Sequence, residues 1–138
     1  MISRVEANIL DLLGAVLSAR SSTATLTPEQ QVQRIRAYID HHLHDRQLGP
    51  QMIASAFSIS IRTLHSFFSG EPLSVSRYIK ARRLDACRRA LEDPQLRRGR
   101  SLTDLAHDCG FYDLSHMTRS FREQYGTAPS DFLLARPN

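Results

Sequence analysis

Cysteine is scarce in this 138-residue chain, with only Cys87 and Cys109. Two thiols make no disulfide framework, so the fold must rest on a packed core, and a reducing cytosol is the expected compartment. Long apolar runs are missing too. No stretch approaches the roughly 20 residues that cross a bilayer, which excludes a membrane-spanning helix. The first residues, MISRVEANILDLLG, mix acidic and apolar side chains and lack the layout of a secretory signal. Lysine is nearly absent: seventeen of eighteen basic residues are arginine, and Lys80 is the exception. There is no glycine-rich phosphate loop, no G-x-S-x-G and no paired-cysteine motif. The chain therefore carries no recognisable catalytic apparatus, and no cofactor is expected.

What is present is a basic, soluble-type composition. Apolar residues make up 41% and charged residues 23%, which argues against global disorder. The net charge of +4 is unevenly placed. Residues 1–45 hold four arginines against five carboxylates, whereas residues 46–138 hold fourteen basic residues against nine acidic ones. Glu71 to Arg100 alone carries nine basic and four acidic residues. Such clustering points to a polyanionic partner, and the planar arginine fork suits phosphates and guanine edges.

The periodicity reads all-helical. Ile2, Val5, Ile9, Leu12, Val16 and Ala19 recur at spacings of three and four, and Leu10, Leu13 and Leu17 widen the stripe to an arc of about 160°. A helix over 2–19 with two apolar sides is expected, one for its own domain and one for a partner. RSSTATLT, 20–27, reads as a linker. Thr27, Pro28 and Gln30 form the start of a second helix with a capping box, followed by Val32, Ile35, Ile39 and Leu43. Gly49-Pro50 opens a third, and Ser60 to about Phe68 is a fourth. A long fifth runs from about Ser74 to Leu91 and ends at Glu92-Asp93-Pro94. Ser101 with Asp104 starts the next, Gly110 ends it, Asp113 caps another to about Tyr125, and a short one follows Pro129.

An internal repeat organises the second half of this pattern. Ile53-Ala54 recurs as Leu105-Ala106 and Ile59 as Phe111, all offset by 52; Leu64 recurs as Met117 and Phe68 as Phe121, offset by 53. One residue is inserted in the second turn. Each copy is a short helix, a tight turn and a second helix, with a small alanine where two helices cross closely.

The segment LTDLAHDCGFYDLSHMTRSFREQYGTAPSDF resembles the second helix-turn-helix of the AraC/XylS family of bacterial transcription regulators, through Leu105-Ala106, Gly110-Phe111, Asp113, Ser115, Arg119, Phe121, Gly126 and Pro129. Ile53-Ala54, Ser60, Leu64 and Phe68 resemble the first, and YIKARRLDACRRALEDP the connecting helix. The likeness covers about residues 30–136. Ser58, Ser66, Ser69 and Leu114 depart from it: the family's first turn often has glycine, and its reading helices are more polar or basic at the other three. The resemblance implies two helix-turn-helix subdomains, 26–73 and 93–138, joined by a linking helix over 74–92. Residues 1–25 precede them as an amphipathic helix and linker, either the remnant of an effector or dimerisation domain or a dimerising helix.

The resemblance also implies sequence-specific binding of double-stranded DNA at an asymmetric promoter site, with RNA polymerase as a partner, in the bacterial cytoplasm and at the nucleoid when bound. The second helix of each module, about 60–68 and 114–125, is expected in the major groove. Arg62, His65 and Ser66 in the first, and Leu114, Ser115, Thr118 and Arg119 in the second, are the expected base readers. Thr63, Arg77, Lys80, Arg82, Arg97, Arg98, Arg100 and Arg122 are the expected phosphate contacts. If about six of them engage, affinity falls roughly a thousandfold from 50 to 200 mM salt. Arg83 is expected to be structural, with an internal salt bridge. The competing class is a helical interaction module whose basic face binds an acidic protein, or DNA without sequence preference. His41, His42 and His44 with Asp40 and Asp45 have no second ligand set and read as a solvated face rather than a metal site. Cys87 reads as a small core hydrophobe, and Cys109 lacks the exposure of a redox sensor.

Overall fold

The computed structural model describes residues 26–135, all of whose regular elements are helices. The expected helix over 2–19 and its linker lie outside the described residues. The chain divides into two compact units, Met1–Ile35 and Arg36–Asn138. In the first unit, the amide of Gln30 donates to Thr27 Oγ1 at 3.1 Å and the amide of Thr27 donates to Gln30 Oε1 at 2.8 Å. This reciprocal pair satisfies two amides that a helix start leaves without partners. It opens α1, Pro28–His41, which continues into the second unit.

Within the second unit the helices follow the sequence pattern closely. Pro50 at the first helical position starts α2, Pro50–Ala56, where a missing amide costs nothing. Ser60 caps α3, Ile61–Phe67, by accepting from the Thr63 amide. Ser74 likewise caps α4, Val75–Glu92, whose 18 residues span about 27 Å. Asp93 ends α4 and caps a one-turn α5, Pro94–Arg97, in a stretch the sequence pattern left as a loop. Ser101 and Asp104 form a reciprocal capping box on α6, Leu102–Asp108. Asp113 caps α7, Leu114–Tyr125, and α8 is Pro129–Ala135.

The repeat extends to individual turn hydrogen bonds. Ile59 donates to Ala54 O at 3.0 Å, and Phe111 donates to Ala106 O at 2.9 Å. Phe57 and Cys109 donate to Ile53 O and Leu105 O in the same way. Ser58 and Gly110 both take the left-handed backbone that closes such a turn, with φ of 56° and 91°. The interiors match too. Ile53, Ala54, Leu64 and Phe68 are buried in the first copy, and Leu105, Ala106, Met117 and Phe121 in the second. Two stretches of α4 are buried in turn. Val75 and Ile79 are buried near its start, and Leu84, Cys87 and Leu91 join the core of the second copy.

Candidate nucleic-acid interface

Helix α3 presents one face to its core and the other to solvent because Leu64 and Phe68, four apart, both turn inward. Arg62, His65 and Ser66 lie on the opposite face and are exposed. Thr63 is half-buried and its hydroxyl oxygen accepts from Ser60 Oγ at 3.0 Å, so it belongs to the cap. In α7, Met117 and Phe121 turn inward, and Ser115, Arg119 and Arg122 are exposed. Thr118 is half-buried. Leu114, expected outward, is half-buried and packs on the second core. It stands three residues before Met117 and seven before Phe121, a spacing that puts it on the edge of the inward stripe rather than on the outward face.

The cations separate into two groups. Arg82 donates to Asp40 Oδ1 at 2.9 Å and also approaches Asp85. The hydrogen bond to Asp40 raises its pKa. Arg97 donates to Leu91 O at 2.9 Å; Arg100 donates to Leu96 O at 3.0 Å and pairs with Asp108. Arg36 pairs with Glu71, and Asp85 gathers Arg88 and Arg89. Lys80 reaches Glu123 at 3.2 Å across exposed surface. By contrast, Arg62, Arg77, Arg98, Arg119 and Arg122 have no internal partner among the described residues. Three of these five stand on the outward faces of α3 and α7. A charge left unneutralised by the fold is free to meet an external anion without first breaking a bond.

Arg83 is structural, but no carboxylate holds it. Its Nε donates to Leu43 O at 3.1 Å and its Nη2 to Asp45 O at 2.7 Å. Burial lowers its pKa, opposed by the nearby Asp45 charge. Sequence reasoning missed two residues beside it. Arg46 Nη1 donates to Tyr112 O at 3.0 Å, and its guanidinium lies over the Tyr112 ring. The only signal for this pair is the extra residue in the second turn. The thiols are both buried, and Cys87 Sγ donates to Met117 Sδ at 3.4 Å. Among the described residues there is no group of three or more potential metal ligands, and no helix long and apolar enough to cross a membrane.

Residues 53–135 match the family described as a helix-turn-helix domain. A solved structure described as a transcriptional regulator among AraC-type DNA-binding domain-containing proteins, from Chromobacterium violaceum, shares the fold with a TM-score of 0.66, 19% identical over 80% of this chain and 96% of that one. The chain belongs to the AraC-type helix-turn-helix family. The family and fold are those of DNA-binding domains of transcription regulators, not of enzymes. The chain is 32% identical over 123 residues to the transcriptional activator NphR of Rhodococcus sp, covering 87% of this chain and 36% of that protein. It is 30% identical over 125 residues to the transcriptional activator RhaS of Escherichia coli O157:H7, covering 88% and 43%. The chain thus spans less than half the length of these relatives. The DNA-binding domain of AdpA, solved in complex with a target DNA, superposes with a TM-score of 0.66 at 25% identity, over 75% of this chain and 89% of that one.

Proposed function

We propose that this AraC-type domain reads two successive major-groove segments of one asymmetric promoter site, with α3 on one and α7 on the other. The observation that carries the reading is the set of arginines without a partner among the described residues on the outward faces of two repeat-related helices. The length of α4, about 27 Å, suits two reading helices held near one DNA turn apart, ~34 Å. Arg62, His65 and Ser66, with Ser115, Thr118 and Arg119, read bases; Leu114 lies at the edge of that set and meets a thymine methyl only through its exposed part. Arg77, Arg98 and Arg122 grip phosphate, and Lys80 joins them by exchanging its weak, solvent-exposed pair with Glu123. Thr63, Arg82, Arg97 and Arg100 act first as internal supports, because each already has a partner within the fold. The outward residues of the two modules differ, so the two half-sites differ as well.

Selection of bound duplexes from a random library, followed by mobility-shift titration, tests this. At least about a tenfold preference for the selected duplex over random DNA is expected, a floor set well below the roughly thousandfold or more that is usual for specific binding. Equal affinity for both would sink the sequence-reading proposal and leave the interaction-module reading. The cytoplasmic and nucleoid setting and contact with RNA polymerase follow from the regulator reading. So does the division into subdomains 26–73 and 93–138 about a linking helix, 74–92. Homodimerisation through residues 2–19 rests on their apolar periodicity; light scattering before and after deleting residues 1–24 checks it, and a monomer in both defeats it.

A further inference from the structure

The two turns of the repeat differ in a way that their own folding does not require. Ser58 and Gly110 hold equivalent positions and both are left-handed. The first turn accepts a serine there, with its side chain exposed. At position 110 the limit is a neighbour. A Cβ on Gly110 would overlap the Leu43 carbonyl oxygen and lie 2.6 Å from Arg83 Nε. The second turn is therefore seated directly on the loop after α1, the segment that leads into α2 of the first copy.

Two arginines close the same contact. Arg83, from the linking helix, spans Leu43 O and Asp45 O with its two donors, and so holds the loop on which Gly110 rests. Arg46, from that loop, reaches back to Tyr112 O and covers its ring at 5.2 Å. Tyr112 lies in the short stretch between Phe111 and Asp113 where the offset of the repeat changes from 52 to 53. The glycine and the insertion thus serve one junction. A single helix joining two modules sets their distance, but each module can still rock about its end of that helix. A lateral contact formed of backbone, a half-buried charged fork and an aromatic ring removes that freedom.

We propose that this junction, Arg83 with Gly110 and Arg46 with Tyr112, fixes the phase of α3 against α7 and so determines which half-site spacing the protein accepts. The inference rests on the two-half-site reading above. These are positioning residues that act through the placement of the reading helices. One added base pair moves the second half-site by about 3.4 Å along the duplex and about 35° around it. A locked pair of helices cannot follow that change, whereas a loosened pair can.

The test compares wild type, Gly110→Ala, Arg83→Gln and the milder Arg46→Ala on three duplexes: the selected site, the same site with one base pair added between half-sites, and the site with its second half scrambled. Circular dichroism and thermal unfolding first establish which variants fold. Wild type should lose at least about tenfold on the lengthened site, approaching its affinity for the scrambled one. The folded variants should bind the selected site more weakly and distinguish the two spacings by no more than about threefold. A folded variant that keeps the wild-type spacing ratio overturns the proposal, as does a wild type indifferent to spacing. Nitroxides on Ser69→Cys and Gln124→Cys give a readout without DNA. Their distance distribution should be narrow in wild type and broad in the variants, and equal widths overturn the junction's role. If wild type prefers no duplex at all, the DNA reading fails while these distances still judge the junction.

Discussion

Replacing Arg119 with alanine separates reading from gripping. Arg119 is exposed on α7 and has no internal partner among the described residues, so Arg119→Ala breaks no bond in the fold. Stability should change by no more than about 0.5 kcal/mol, the usual range for such surface positions. A bidentate guanine contact is worth about 1–3 kcal/mol, so affinity for the selected duplex should fall roughly 5- to 150-fold. The loss should be confined to sequences that carry the recognised base pair, and preference at that pair should relax. A base contact displaces no condensed counterion, so the slope of log affinity against log salt should stay unchanged. A lost phosphate contact would reduce it by about 0.9. Fluorescence anisotropy against the selected duplex and its single-pair variants, at several salt concentrations, measures both quantities. An equal loss on every duplex, with the slope reduced, would refute the base-reading role and make Arg119 a phosphate grip.

Other outcomes follow from the same geometry. If Arg77, Lys80, Arg98 and Arg122 are the phosphate contacts, affinity should fall only about 150-fold between 50 and 200 mM salt. A slope near six contacts would mean that Arg82, Arg97 or Arg100 leave their internal partners on binding. Asp113→Ala removes the acceptor for the His116 amide at the start of α7 and should cost about 1 kcal/mol, seen as a lower urea midpoint. Asp104 has its pKa lowered by hydrogen bonds from the backbone and side chain of Ser101. Its folded pKa lies below its unfolded one, so its contribution is complete above the ordinary carboxylate range and is lost as pH falls through the folded value. The thermal midpoints of wild type and Asp104→Asn, followed from about pH 6 to about pH 3, should therefore converge toward the acid end.

Much of this molecule is legible in the chain because its signals are local. Helix starts at Thr27, Ser60, Ser74, Ser101 and Asp113 depend on side chains within three residues of the amides they serve. The inward and outward faces of α3 and most of α7 follow from spacings of three and four. Leu114 obeys the same spacing, three before Met117 and seven before Phe121, and its core contact corrects the outward placement. The one-turn helix at Pro94–Arg97 escapes because four residues carry no periodicity. The arginines show the larger limit. Arg82 and Arg77 look alike in a basic stretch, yet one meets Asp40, 42 residues away in sequence, and the other meets no carboxylate among the described residues.

The sequence by itself determined the helices, the duplication with its inserted residue, and the scarcity of lysine beside abundant arginine. Each of these is a matter of residue type and short-range order. Only the tertiary structure decided which positive charges remain available. Neutralising a guanidinium takes an acceptor within about 3 Å, and that acceptor comes from whichever segment the fold brings alongside. It also decided that position 110 must be glycine while position 58 need not be, because the crowding atoms belong to Leu43 and Arg83, which are distant along the chain and close in space.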